Sequence, residues 1–260
     1  MTMLEAIFLG IIQGLTEFLP ISSSAHIRII GKFLPSAQDP GATFTAIMQI
    51  GTEVAVLLFF SNQIRQIIKT GRLRWLIALG SIPIFILGYF GQEFIRSNFR
   101  SLWLIAATLI LFGAILGYLD YKGRNAKTLD DLGASDGLWY GIAQSLALVP
   151  GVSRSGATIA MGRLLGYRRE EALRYSFLLA IPAVLGSGAY ELLNSFSEPT
   201  NVFSIPETLT ATFTAFIVGY IVIAWLMKFV QTRSFMPFVV YRVALGTLIL
   251  ILLSNGTLKA

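Results

Sequence analysis

The 260-residue chain has no cysteine, a single histidine and few charges, with 13% Asp, Glu, Lys and Arg against 55% hydrophobic residues. Without cysteine it has no disulfide and no thiolate metal site. Soluble domains carry roughly 25% charged residues, so this chain cannot cover a water-exposed surface. Its charge of +6 comes with no basic tail and no interleaved aromatic platform, because Lys and Arg sit in short connections between apolar runs; nucleic acid is not expected as a partner. A basic leader is missing too: the first twenty residues carry Glu5 and Glu17 and are expected to stay on the protein.

Long uncharged runs are present instead. Trp75–Gln92, Leu102–Leu119 and Thr208–Met227 reach the ~17–25 residues that a helix needs to cross the hydrocarbon layer. Sliding the sequence on itself by 131 places Gly10-Ile11-Ile12-Gln13-Gly14-Leu15 over Gly141-Ile142-Ala143-Gln144-Ser145-Leu146, and Ser22-Ser23-Ser24 over Ser153-Arg154-Ser155. The same offset carries candidate spans at about 41–61, 75–92 and 102–120 onto those at about 174–193, 208–230 and 236–254. One integral membrane domain built from a duplicated unit is expected, with repeat one at about 1–120, an inner loop at about 121–136 and repeat two at about 137–254.

Each unit opens with a short broken apolar segment. Ala6–Thr16 stops at Glu17, Pro20 and the serines, while Gly137–Ser153 is interrupted by Pro150-Gly151. Both read as re-entrant helix-loop-helix segments, each followed by three spans. Three is odd, so the fold class expected is an all-α polytopic membrane protein with an inverted-topology repeat. With the N-terminus outside, connections 61–74, 121–136, 163–174 and 228–235 fall inside and hold thirteen Lys and Arg. Segments 1–5, 26–40, 93–101, 194–207 and 255–260 fall outside and hold five. That asymmetry agrees with the positive-inside rule.

The two breaks hold the chemistry. Gln13 and Glu17 are four apart and share a helix face before Pro20; Ser22, Ser23 and Ser24 cap a return helix that carries His26 in its first turn. In the second break Ser153-Arg154-Ser155 opens a helix with Thr158 one turn in. A helix start is an anion site, and a guanidinium fork matches phosphate oxygens. Inverted repeats bring such breaks together, which would set Glu17 and His26 opposite Arg154 around one small volume. Arg154, Ser153, Ser155, Thr158, Ser22 and Ser24 are the candidate phosphate contacts, and Glu17 with Gln13 the candidate divalent-cation ligands. His26 or a serine is the candidate nucleophile or proton carrier. Glu53 and Arg242, also inside apolar runs, are expected as a structural ion pair or snorkelling side chains, with only a weak case for Tyr241-Arg242 touching substrate. Arg168, Arg169, Glu170 and Glu171 are expected as a solvated loop.

Gln13-Gly14-Leu15-Thr16-Glu17-Phe18-Leu19-Pro20 leading to Ser22-Ser23-Ser24-Ala25-His26, together with Pro150-Gly151-Val152-Ser153-Arg154-Ser155-Gly156-Ala157-Thr158, resembles the two signatures of bacterial undecaprenyl-diphosphate phosphatases of the bacitracin-resistance type. The resemblance covers essentially the whole chain. It implies hydrolysis of undecaprenyl diphosphate to the monophosphate and inorganic phosphate, recycling the lipid carrier of cell-wall precursors, with Mg2+ or Ca2+ as cofactor. It implies a multi-pass protein of the bacterial inner membrane with its active site on the periplasmic side. The family's essential positions fall on Glu17, Ser23, His26 and Arg154, with Gln13 at a Glu-or-Gln position. Whether His26 or Ser23 attacks phosphorus stays open, as do chain-length preference and a homo-oligomeric state. A transporter or flippase of a phosphorylated lipid is the alternative reading.

Overall fold

The computed structural model describes residues 2–31, 33–34, 41–98, 101–197 and 204–258. Parts of the expected outer segments 26–40, 93–101, 194–207 and 255–260 lie outside them. The regular structure among the described residues is helical, apart from an isolated bridge between Lys127 and Tyr167. The helices are α1 (Met3–Phe18), α2 (Ser23–Gly31), α3 (Gly41–Phe59), α4 (Ser61–Thr70), α5 (Arg72–Asn98), α6 (Leu102–Lys122), α7 (Ala134–Ser145), α8 (Arg154–Leu164), α9 (Arg169–Ser197), α10 (Ile205–Thr232) and α11 (Met236–Ser254).

The element order repeats at the offset of 131. Shifted by that amount, α1 falls on α7 and its trailing 3-10 turn Leu146–Leu148, α2 on α8, α3 on α9, α5 on α10 and α6 on α11. Both breaks also share a backbone feature. Ser22 (φ 73°) and Ser153 (φ 69°), which the offset equates, are the only non-glycine residues with positive φ among those described.

Five helices are long and apolar enough to cross a membrane: Arg72–Gly91, Leu102–Lys122, Arg169–Leu193, Ile205–Thr232 and Met236–Ser254. The chain is an all-helical, multi-pass membrane protein. The expected span at 41–61 takes another form, since Thr43–Phe59 and Ser61–Lys69 meet at a 74° bend. Residues 61–70, expected as connection, form a helix because Ile64, Ile67 and Ile68 give them an apolar stripe at helical spacing. Gly71 ends it with φ 74°, its N–H donating to Ile67 O.

Packing divides the chain into two compact units, each drawing on both sequence halves: Met1–Phe18, Ser23–Gly71 and Ala180–Leu226 in one, and Leu19–Ser22, Arg72–Leu179 and Met227–Ala260 in the other. In the first, α1 and α3 approach α10 through glycine. A Cβ on Gly10 would lie 2.5 Å from Ala211 O, one on Gly14 2.7 Å from Val218 Cβ, and one on Gly51 would fall on Thr212 O. Without water, small residues that admit close backbones are a main source of helix association. In the second unit α5 and α7 cross where a Cβ on Gly141 would fall on Gly80 O; α6 and α11 cross where a Cβ on Gly246 would lie 2.8 Å from Ala106 O.

The connections of the second unit are ordered by polar contacts, against the expectation of a solvated loop at 168–171. Buried Asp120 pairs with Arg169 Nε at 2.7 Å and Arg163 Nε at 3.2 Å, and accepts the N–H of Phe235 at 3.0 Å. Arg163 also donates to Asn125 Oδ1 and Tyr167 O, both at 2.6 Å, and Glu171 pairs with Arg174 at 3.1 Å. Such pairing is what burying Asp120 and Arg163 demands. Tyr167 donates its hydroxyl to Asp136 at 2.6 Å; burial and that bond push it above its ordinary range.

Candidate active site

Each break is built by a helix that stops. α1 runs to Phe18 and Pro20 blocks its continuation, so Gln13 and Glu17, one turn apart near its end, share a face. Both are buried. Gln13 Nε2 donates to Glu17 Oε2 at 2.7 Å, Ser23 Oγ at the start of α2 donates to the same oxygen at 2.6 Å, and Gln49 Nε2 of α3 reaches it at 3.4 Å. Three donors therefore converge on one carboxylate oxygen inside the first unit. Gln13 Oε1 is buried there with no hydrogen-bond partner among the described residues. His26 is buried in the first turn of α2, and Ser24 is exposed.

The second unit holds the turn Leu19–Ser22 of the first break together with the whole second break. After the 3-10 turn the chain reverses at Pro150-Gly151. Gly151 has φ 90°, and a Cβ there would fall on Thr108 Oγ1 of α6, so only glycine fits. Thr108 Oγ1 donates to Pro150 O at 2.7 Å. Ser153 caps α8, its Oγ accepting Gly156 N–H at 3.2 Å and lying 3.2 Å from Ser155 Oγ. Ser155 Oγ donates to Leu19 O at 3.2 Å, and Arg242 of α11 donates to Pro20 O at 3.1 Å and to Gly151 O and Val152 O at 2.9 Å. The two turns, some 130 residues apart in sequence, thus meet.

Arg154 stands at the first position of α8, half-buried, beside buried Ser153 and Ser155. Thr158 is placed differently from a phosphate contact. It is fully buried, its hydroxyl bonded to Arg154 O at 2.8 Å and paired with Ser176 Oγ of α9 at 2.5 Å, so it ties the first turn of α8 to α9. Arg242 departs from expectation as well. Its partners are main-chain carbonyls, neither an acid nor the aqueous boundary.

A positive φ at Ser22 and Ser153 is uncommon and costs of order 1–3 kcal/mol at each residue. N-cap residues ordinarily take extended dihedrals. The strained serines stand at equivalent positions of the two breaks, one following the helix that carries Glu17 and the other capping the helix that Arg154 opens.

A model of the bacitracin resistance protein BacA family matches residues 6–248. The chain belongs to that family. It is 53% identical over 277 residues, covering 100% of both chains, to the undecaprenyl-diphosphatase of Micrococcus luteus. It is 53% identical over 275 residues, again 100% of both, to that of Clavibacter michiganensis. It is 52% identical to the undecaprenyl-diphosphatase 2 of Agrobacterium fabrum, over 99% of this chain and 98% of that one.

Within this BacA-family chain three contributors escape sequence reading, Gln49, Thr108 and Ser176, while Arg242 is visible there but not as the partner of the break turns. Each is a polar residue within a largely apolar helix, a usable signal in a membrane protein. What the sequence does not say is which break each one faces.

Proposed function

We propose that the chain hydrolyses undecaprenyl diphosphate to undecaprenyl phosphate and inorganic phosphate, recycling the lipid carrier for cell-wall synthesis and conferring bacitracin resistance. The observation that carries this is full-length identity of about half to undecaprenyl-diphosphatases, with both Ser-rich breaks intact. A transporter or flippase would require neither the Ser23–Glu17 pair nor an arginine at a capped helix start. The breaks instead hold the parts of a phosphoanhydride hydrolase.

Arg154, with Ser153 and Ser155, holds the phosphate at the start of α8, where N–H groups and the guanidinium oppose its charge. Ser22 and Ser24 extend the polar lining, and Thr158 supports the first turn from behind. The 2.6 Å bond from Ser23 Oγ to Glu17 Oε2 favours Ser23 as nucleophile and Glu17 as the base that takes its proton. Attack forms a bond from Ser23 Oγ to the terminal phosphorus and breaks that phosphorus's bond to the bridging oxygen, undecaprenyl phosphate leaves with a proton carried by His26, and water then cleaves the phosphoserine to release inorganic phosphate.

Among the described residues no group of three or more His, Asp or Glu could hold a metal ion by itself. Gln13 Oε1, buried without a partner beside Glu17, nonetheless fits a cation such as Mg2+, which takes only one or two ligands from protein and the rest from water and phosphate. Gln13 and Glu17 would hold it, and when bound it would withdraw charge from the diphosphate oxygens. The two halves enter from opposite sides, in the inner membrane, with the active site periplasmic.

Phosphate release from a polyprenyl diphosphate by the detergent-purified protein tests the assignment. Wild type should release phosphate and lose that ability in chelator, regaining it with Mg2+ or Ca2+; Arg154→Ala should be slower by on the order of 10²–10³-fold. Inactive wild type or an unimpaired Arg154→Ala enzyme would refute the assignment.

A further inference from the structure

Arg242 is fully buried, in the middle of an apolar helix, and an ionisable group there is expensive enough to need a purpose. Its five N–H groups form a planar fork. Nε donates to Leu109 O at 3.2 Å, Nη1 to Pro20 O at 3.1 Å, and Nη2 to Gly151 O and Val152 O at 2.9 Å and Thr108 O at 3.4 Å. The second unit makes room for it. A Cβ on Gly156 would lie 2.7 Å from Nη1, and one on Gly113 3.2 Å from Arg242 Cβ.

Three of those carbonyls belong to the break turns, Pro20 O to the first and Gly151 O and Val152 O to the second, and the other two to α6. A peptide is planar and trans, so its N–H points opposite to its C=O. Drawing Gly151 O and Val152 O onto the guanidinium turns the N–H groups of Val152 and Ser153 the other way, that of Val152 onto Val149 O at 3.3 Å. It also removes from the phosphate site oxygens that would repel an anion. Thr108, donating to Pro150 O, adds to the same restraint from α6. The offset of 131 places Leu111 opposite Arg242, so the clamp exists once and serves both turns.

We propose that Arg242 is a positioning residue for phosphate hydrolysis: one guanidinium fixes the two break turns against each other and holds Ser153, Arg154 and Ser155 in register without touching substrate. This rests on the phosphate role given above to Arg154. A displacement of about 1 Å in such a group costs roughly 10²-fold in rate.

The test is a kinetic series on the purified full chain with a polyprenyl diphosphate, each variant checked for monodispersity and melting temperature. Arg242→Met should fold yet lose about 10²-fold in kcat with KM little changed. Arg242→Lys, which keeps the charge but lacks the fork, should recover only part of it. Combined with Arg154→Ala, Arg242→Lys should cost little beyond the single Arg154 change, because both act through one group. Wild-type kcat in a folded Arg242→Met or in Arg242→Lys, a rise confined to KM, or fully multiplicative effects in the double variant would each overturn the proposal. If the Arg242 variants do not fold, Thr108→Val decides: it removes the hydroxyl that donates to Pro150 O and otherwise bonds only Leu104 O and Ile105 O of its own helix, and must slow kcat several-fold for the anchoring argument to stand. Undiminished activity in Arg154→Ala alone would instead refute the phosphate role and leave the Arg242 result to be read by itself.

Discussion

Glu17 is where the first break converges. Its Oε2 receives Gln13, Gln49 and Ser23. Glu17→Gln would turn an acceptor into a group that also donates, opposing those donors and removing the base. Phosphate release should fall about 10³-fold. Ser23→Ala should be comparably impaired, and His26→Ala less so, since the carboxylate bond that prepares the hydroxyl survives without the imidazole. An active Ser23→Ala enzyme beside a dead His26→Ala one would reverse the assignment of the nucleophile. Glu17, Gln13 and Ser23 were legible in sequence because helical spacing and a proline stop fix their relations locally. Gln49 was not, since its meeting with Glu17 depends on how α3 packs, which periodicity does not encode. Arg242 was visible as an anomaly but misread, because sequence shows a buried charge and not the carbonyls that satisfy it.

At the scale of elements, the breaks are turns whose geometry has been bought with strain. The offset of 131 anticipated the pairing of α1 with α7 and α2 with α8, because duplication preserves where helices stop. It did not anticipate α4: polar residues and four basic ones made 61–74 resemble a connection, although a short amphipathic helix satisfies the same composition. Nor did it reveal that Asp120, Arg163 and Arg169 would gather separate connections into one buried network, a matter of tertiary placement. The turn at Gly151 offers the sharpest test at this level. Gly151→Ala sets a Cβ on Thr108 Oγ1 and forces an L side chain to φ 90°, of which the backbone part alone costs about 1–2 kcal/mol. The variant should melt several degrees lower and lose most activity, because the displaced turn carries Ser153 and Arg154. Wild-type melting and turnover in Gly151→Ala would show that the turn is not under this constraint.

For the whole molecule, the packing units cut across the sequence repeats. Each compact unit combines segments from both halves, so neither half packs as a unit by itself. Its orientation follows from parity. We propose that an odd number of crossings in each half inverts the second, with the thirteen Lys and Arg of the expected inner connections, against five outside, facing the inner side. Cysteine labelling tests this cleanly, because the native chain contains none. Lys69→Cys, on exposed α4, should react with a membrane-impermeant thiol reagent only after the inner face is opened. Asn201→Cys, in an expected outer segment, should react in intact cells. Were both to label from the same side, an even number of crossings would separate them, and the broken segment α7–α8 between them would have to span. The inverted repeat would then fall, and with it the periplasmic placement of the active site, while the hydrolase assignment would stand on its own assay.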